Sequence, residues 1–149
     1  MIVRYYEDYR VGEIVRAPGL TLSEAAIVEW GLAYDPQPIH MDRLAAEKSI
    51  YGGLIASGWQ IGSLSFRLLM QAGLLGAASL GSPGVDELRW ILPVRPGDTI
   101  YPEAEVHAMR VSASKPDRGL VTLAFRVKNQ RGETVFTMRS IQLVKRRAP

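Results

Sequence analysis

The clearest hydrophobic pattern in this chain has a period of two and lies in its C-terminal half. Its apolar members are Val121, Leu123, Phe125 and Val127, with polar or small residues between them. Strict alternation is typical of a strand that buries one face. Turn-forming residues at 129–132 separate this strand from a second apolar stretch at 134–144.

Three further segments are predicted strands: residues 11–15, residues 85–92 and Thr99–Val111. In the longest of them we expect one face to carry Ile100, Ala104, Val106 and Ala108. Consecutive strands joined by short polar turns predict an antiparallel sheet with one face on the core. Such a sheet leaves open edges, and we expect two copies of the chain to pair edge to edge.

A long helical pattern begins at Ser57 and has apolar residues on nearly every side, which predicts a helix surrounded by protein. One mostly buried helix against a curled antiparallel sheet is a two-layer α+β architecture. With 149 residues and no internal repeat, the chain is predicted to form one domain over 1–149.

Two shorter helices are predicted before the long one. Thr21 and Glu24 have the spacing of a capping box and indicate a helix over 25–33, which Pro36 ends. Asp42 is expected to cap another short helix. Its inward-facing residues are predicted to be Leu44 and Ala45.

Composition excludes several classes of function. The chain has no cysteine and only two histidines, so disulfides, thiolate chemistry and a multi-histidine metal site are not expected. A net charge of +3 does not indicate nucleic acid. Without a signal-peptide core or a long uninterrupted apolar run, we expect a cytoplasmic protein that does not bind a membrane.

The stretch from Tyr34 to His40 carries the candidate chemistry. It holds Asp35 and His40 with Pro36 and Pro38 between them, and each proline biases its preceding residue away from helix. The predicted stiff, extended loop can hold a carboxylate and an imidazole at a set separation, as proton transfer requires. The alternative is a capping or surface histidine in a simple connection.

The start of the long helix offers a second group. Its first N–H groups have no partner inside the helix and lie at the positive end of its dipole. Gly58 there could present its N–H to a carbonyl oxygen that gains charge. The small residues Gly58, Gly62 and Ser63 indicate either such an approach by a ligand or close packing of helix against sheet, and both interpretations remain open.

Two motifs in this chain resemble the MaoC-like dehydratase family. The first combines Asp-Pro-Gln-Pro-Ile-His-Met-Asp at 35–42 with Gly-Gly-Leu-Ile-Ala-Ser-Gly-Trp at 52–59, and looks like the family's hydratase-2 motif. The second joins Val-Asp-Glu-Leu-Arg-Trp at 85–90 to Pro-Val-Arg-Pro-Gly-Asp at 93–98. Gln37 is a departure, because many members have asparagine there.

The resemblance implies a hot-dog fold, in which the sheet wraps the long helix, assembled as a homodimer or dimer-based oligomer. It implies hydration of trans-2-enoyl-CoA to (R)-3-hydroxyacyl-CoA, or the reverse dehydration. Asp35 and His40 would be the catalytic acid–base pair, and the Gly58 N–H would hold the thioester carbonyl. The expected substrate-binding residues are Ser57, Gly58 and Trp59.

This chemistry needs no metal and no cofactor, since coenzyme A belongs to the acyl-CoA substrate. Its phosphates could meet Arg89, Arg95, Lys115 or Arg118, although each is otherwise an ordinary solvated charge. His107, in a predicted strand, is interpreted as structural. Two alternative functions remain: a hot-dog acyl-CoA thioesterase and a non-catalytic acyl-CoA-binding subunit.

Overall fold

A computed structural model describes residues 2–147 and places six strands there. The strands are β1 (Ile14–Arg16), β2 (Leu20–Thr21), β3 (Gly84–Trp90), β4 (Thr99–Val111), β5 (Arg118–Lys128) and β6 (Thr134–Lys145). The helices are α1 (Glu24–Tyr34), α2 (Pro38–Met41), α3 (Arg43–Glu47) and α4 (Gly58–Gln71), preceded by a 3-10 turn at Tyr6–Asp8.

All the strand pairs are antiparallel, in the order β1-β4-β5-β6-β3, with β2 pairing separately with β4. The period-two prediction for β5 is confirmed, because Val121, Leu123, Phe125 and Val127 are all buried. They form one core with apolar residues of α4. The sheet therefore buries one face against the long helix.

A bulge in β4 changes one part of the predicted pattern. Ile100, Ala104 and Val106 are buried as expected, but Ala108 is exposed. The pairing of β4 with β5 shifts register between Val106 and Ala108. Because a bulge inserts one unpaired residue, the alternation of faces does not continue past it.

Helix α4 begins where the sequence predicts, with Ser57 as its N-cap. It is not covered on every side: its buried residues are Gln60, Ile61, Ser65, Leu68 and Leu69. A stripe formed by Trp59, Ser63, Arg67 and Gln71 is exposed in the single chain. No helix within residues 2–147 is long and apolar enough to cross a membrane.

The N-cap of α1 differs from the prediction. The cap is Ser23, whose hydroxyl accepts from the Ala26 N–H at 3.1 Å, whereas Thr21 lies in β2 and contacts Thr99. Asp42 caps α3 as predicted, accepting from the Ala45 N–H at 3.0 Å.

The inward side of α3 is also different. The buried residue of this short helix is Ala46, while Leu44 is 67% exposed. Helix α3 has only five residues, too few for a hydrophobic pattern to identify its inward side. The elements that pack against α3 determine which residue is buried.

A candidate acid–base site at the start of the long helix

Asp35 and His40 are positioned by two successive helices. Asp35 is the C-cap of α1, and its N–H donates to the Gly31 carbonyl at 3.0 Å. The expected extended loop is shorter than predicted, because α2 begins at Pro38 and includes His40. Proline suits the first turn of a helix, where its fixed φ is already helical and no N–H is required.

Gly31 allows the two helices to approach. An added Cβ at Gly31 would lie 3.0 Å from the His40 Cβ and 3.1 Å from the His40 carbonyl oxygen. Both are stiff parts of the chain, so a side chain at this position would push α2 away from α1. The small residue therefore helps to set where His40 lies.

The imidazole of His40 is buried, with 4% of the residue exposed. Its Nδ1 lies 2.8 Å from the Ile55 carbonyl oxygen, and because a carbonyl only accepts, Nδ1 is the donor. Its Nε2 lies 3.3 Å from Oδ2 of Asp35. In the neutral ring Nε2 is therefore the unprotonated nitrogen, and it lies beside the carboxylate.

Two neutral donors hold the Asp35 carboxylate. The Ser57 hydroxyl donates to Oδ2 at 2.6 Å, and Gln37 Nε2 donates to Oδ1 at 2.8 Å. The Ser57 bond first and the Gln37 bond second hold the pKa of Asp35 below its usual value. Burial opposes them, while the nearby His40 lowers the pKa slightly further. The carboxylate is therefore ionised near neutral pH.

Gln37, the departure from the usual motif, thus contacts Asp35 directly. Its longer side chain reaches back two residues to the carboxylate from an exposed position.

Ser57 connects the acid–base pair to helix α4. Besides donating to Asp35, its hydroxyl accepts from the Trp59 N–H at 3.3 Å. The Gly58 N–H has no hydrogen-bond partner among residues 2–147. Sequence reasoning assigned Ser57 to substrate binding and missed its contact with the carboxylate. The available signal was its position as N-cap, which places a hydroxyl at the end of the helix.

A cavity of about 400 Å³ opens over these groups. Asp35, His40 and Gly58 line it, so the structure brings together the pair and the helix terminus. Its apolar walls include Ile55, Ile61, Trp59, Trp90 and Val135. The rings of Trp59 and Trp90 meet edge to face, with centroids 5.1 Å apart and planes at 78°.

The close approaches at the small residues of α4 come from the sheet. The Trp90 ring lies against Gly58, and Phe136 lies near Gly62, while Ser63 is exposed. Close packing of helix against sheet therefore accounts for Gly58, which lines the cavity as well, whereas Phe136 would approach an added Cβ at Gly62 only to an ordinary 3.5 Å.

Of the candidate phosphate contacts, Arg95 bonds to the wall of the cavity. Its guanidinium donates to the carbonyl of Tyr51, a lining residue, at 2.5 Å. Arg118 instead pairs with Asp117, at the start of β5 opposite the end of β6. Val135 and Lys145 lie near opposite ends of β6, about 30 Å apart at 3.3 Å per residue. Arg118 thus lies far from the cavity of its own chain.

A curled antiparallel sheet over one long helix defines a hot-dog protein, and the aspartate–histidine pair beside that helix's N-terminus is its candidate acid–base site. A Mycobacterium tuberculosis protein described as having a double hotdog fold shares this fold, with a TM-score of 0.80 and 20% identity. The similarity covers 97% of this chain and 45% of that one.

The sequence-family model of the MaoC like domain matches residues 8–129. The chain belongs to this family. A MaoC-like dehydratase from Rhodospirillum rubrum has a TM-score of 0.91 and 39% identity, covering 98% of this chain and 99% of that one. The R-hydratase PhaJ1 from Pseudomonas aeruginosa has a TM-score of 0.76 and 25% identity, over 96% and 86% of the two chains. The uncharacterized protein YdeM of Bacillus subtilis (strain 168) is 27% identical over 140 residues, 94% of this chain and 98% of its own length.

Proposed function

We propose that the protein hydrates trans-2-enoyl-CoA thioesters to (R)-3-hydroxyacyl-CoA, or catalyses the reverse dehydration. The observation that carries this proposal is the 3.3 Å approach of His40 Nε2 to Asp35 Oδ2, in a cavity that the start of α4 also lines. Similarity to an R-hydratase supports the same reaction class. The three functional groups match what water addition to an enoyl thioester requires.

The tautomer supports a role for each member of the pair. Because Ile55 holds Nδ1–H, Nε2 of the neutral ring can accept a proton from water. The distance of 3.3 Å to Asp35 exceeds the roughly 2.7–2.9 Å of a charge-assisted N–H···O bond. The carboxylate nevertheless lies close enough to stabilise a positive charge on the ring. His40 is then the base, and ionised Asp35 stabilises the imidazolium that forms.

The proton balance closes within the site. As the water oxygen bonds to the β-carbon, its proton moves to Nε2 and the electron pair of the C=C bond moves toward the thioester oxygen. The Gly58 N–H and the positive end of α4 stabilise this enolate. Collapse of the enolate returns one proton from the pair to the α-carbon, so the net change is addition of one water.

The primary test is to incubate the protein with crotonyl-CoA and longer trans-2-enoyl thioesters and to follow the enoyl absorbance. We expect its loss with wild type and its persistence with Asp35→Asn, since the amide cannot stabilise an imidazolium as a carboxylate does. Full activity in Asp35→Asn would contradict the mechanism. A parallel thiol assay separates the alternatives, because release of free CoA indicates a thioesterase, and binding without turnover a non-catalytic subunit.

We further propose a homodimer paired through β3. This strand is an edge of the sheet in residues 2–147, and Val85 on it is 48% exposed. Beside it, a mostly apolar groove of about 560 Å³ is lined by Phe66, Met70, Leu75 and Met138 among others. Light scattering after size exclusion should give a dimer for wild type and a monomer for Val85→Lys, since lysine blunts an edge strand. A wild-type monomer would exclude this assembly.

A further inference from the structure

Trp90, the last residue of β3, lies unusually close to the first residue of α4. An added Cβ at Gly58 would be 2.2 Å from the Trp90 indole nitrogen, and 2.4 and 2.5 Å from its carbon neighbours Cε2 and Cδ1. The indole nitrogen thus occupies the place that a side chain at position 58 would take. Only glycine allows the ring this position.

The direction of that contact places the indole nitrogen at the helix terminus. The Cα–Cβ bonds of an α-helix tilt toward its N-terminal end. A group at the Cβ position of Gly58 therefore lies on the N-terminal side of the first helical residue. The unpartnered N–H of Gly58 points toward the same end.

The indole N–H is available as a donor. Indole nitrogen can only donate, and no acceptor for it is found among residues 2–147. Trp90 is 50% exposed and lines the cavity. Its ring packs edge to face against the ring of Trp59, which supports it. Asp35, the nearby anion, already accepts from Ser57 and Gln37.

We propose that the Trp90 indole N–H and the Gly58 backbone N–H together bind the thioester carbonyl oxygen, which makes Trp90 a catalytic residue. This assignment rests on the proposed hydratase function. Two donors aimed at one oxygen form an oxyanion hole, and their effect is largest when negative charge develops there. A fixed indole does this without reorganising during the reaction.

The test is Trp90→Phe, which removes the N–H and keeps an aromatic ring against Gly58. The matched control is Trp30→Phe, which deletes an indole N–H on α1, outside the cavity lining. With crotonyl-CoA we expect kcat of Trp90→Phe to fall by at least about tenfold, toward the roughly 10²–10³-fold typical for loss of one such donor. KM should change little, because the donor acts mainly in the transition state. Trp30→Phe should keep wild-type kcat and KM.

A second readout reports the hydrogen bond itself. Butyryl-CoA, a saturated thioester that cannot be hydrated, is labelled with ¹³C at its carbonyl and bound to each protein for infrared spectroscopy. Loss of a donor raises the carbonyl stretching frequency, so we expect a higher frequency in Trp90→Phe than in wild type or Trp30→Phe. A change in packing alone would leave this frequency unaltered.

The outcomes separate this inference from the function on which it rests. Wild-type turnover with unchanged kcat and carbonyl frequency in Trp90→Phe overturns the role of Trp90 and leaves the hydratase intact. Absence of both turnover and butyryl-CoA binding in wild type overturns both proposals. Trp90→Phe with lower kcat and a raised frequency, at an unchanged thermal midpoint, supports the assignment.

Discussion

The two histidines lie in regions that differ in almost every physical respect. His40 is buried against α1, held by the Ile55 carbonyl and next to Asp35. His107 lies on the exposed side of β4, at the bulge between Val106 and Ala108. The same side chain is thus an oriented group in one region and a solvated one in the other. What differs is the partner that fixes the ring, since residue type alone gives neither orientation nor chemistry.

The sharpest way to test this contrast is to remove each imidazole in turn. His40→Ala should lower the hydration rate by about 10²–10⁴-fold, the usual contribution of a positioned acid–base group. His107→Ala should keep the wild-type rate. Both are measured by loss of enoyl absorbance under saturating thioester. Equal losses in the two variants would show that burial beside Asp35 confers no special role.

Ser57→Ala should lower the hydration rate less than His40→Ala, because it removes only one hydrogen-bond donor from the Asp35 carboxylate. A hydrogen bond to a charged group contributes about 1.5–3 kcal/mol. If all of it acts in the transition state, the rate falls by roughly 10- to 10²-fold. Ser63→Ala, on the exposed stripe of α4, is the control and should be neutral. A wild-type rate in Ser57→Ala would exclude Ser57 as a positioning residue.

Gly31→Ala tests whether the approach of α2 to α1 sets the position of His40. The new Cβ would crowd the His40 backbone, and overpacking of this kind costs about 1–3 kcal/mol, offset by about 1 kcal/mol of helix propensity. Urea unfolding should show net destabilisation of about 1 kcal/mol. Gly62→Ala meets Phe136 only at an ordinary 3.5 Å, so it should be neutral or stabilising. The reverse order of stabilities would contradict the close-packing interpretation.

The smallest expected effect is a pH dependence of stability. The folded pKa of Asp35 lies below its ordinary value of 3.8, so its ionisation stabilises the fold fully above that pH. This stabilisation is lost as the pH falls through the lower, folded pKa. The difference in unfolding free energy between wild type and Asp35→Asn should therefore shrink only below pH 3.8. A difference that is constant into that acidic range would contradict the hydrogen bonds seen at the carboxylate.

The sheet was predictable from sequence because its signal is local and repeated. Thr99–Val111 is predicted with its observed bounds, and the alternation in β5 identifies the buried face. Ala108 is the exception, because a bulge arises from pairing with a neighbouring strand and leaves no mark on the pattern of its own strand.

The candidate site was predicted in its members but not in its contacts. The prolines and the motif indicated Asp35, His40 and Gly58, all of which line one cavity. The partners that orient them, Ile55 and Ser57, stand 15 and 22 residues away from the groups they bind. No local periodicity connects positions so far apart. Only the tertiary structure therefore reveals the hydrogen bonds of Ser57 and the approach of Trp90 to Gly58.

By itself the sequence determined the hydrophobic alternation, the start of the long helix at Ser57 and the candidate residues for the chemistry. Those features follow from backbone preferences and burial patterns that act over a few residues. Tertiary structure alone decided which nitrogen of His40 faces Asp35, and which ring covers Gly58. Such contacts depend on how α1, α4 and β3 pack together, and packing joins residues that the chain keeps far apart.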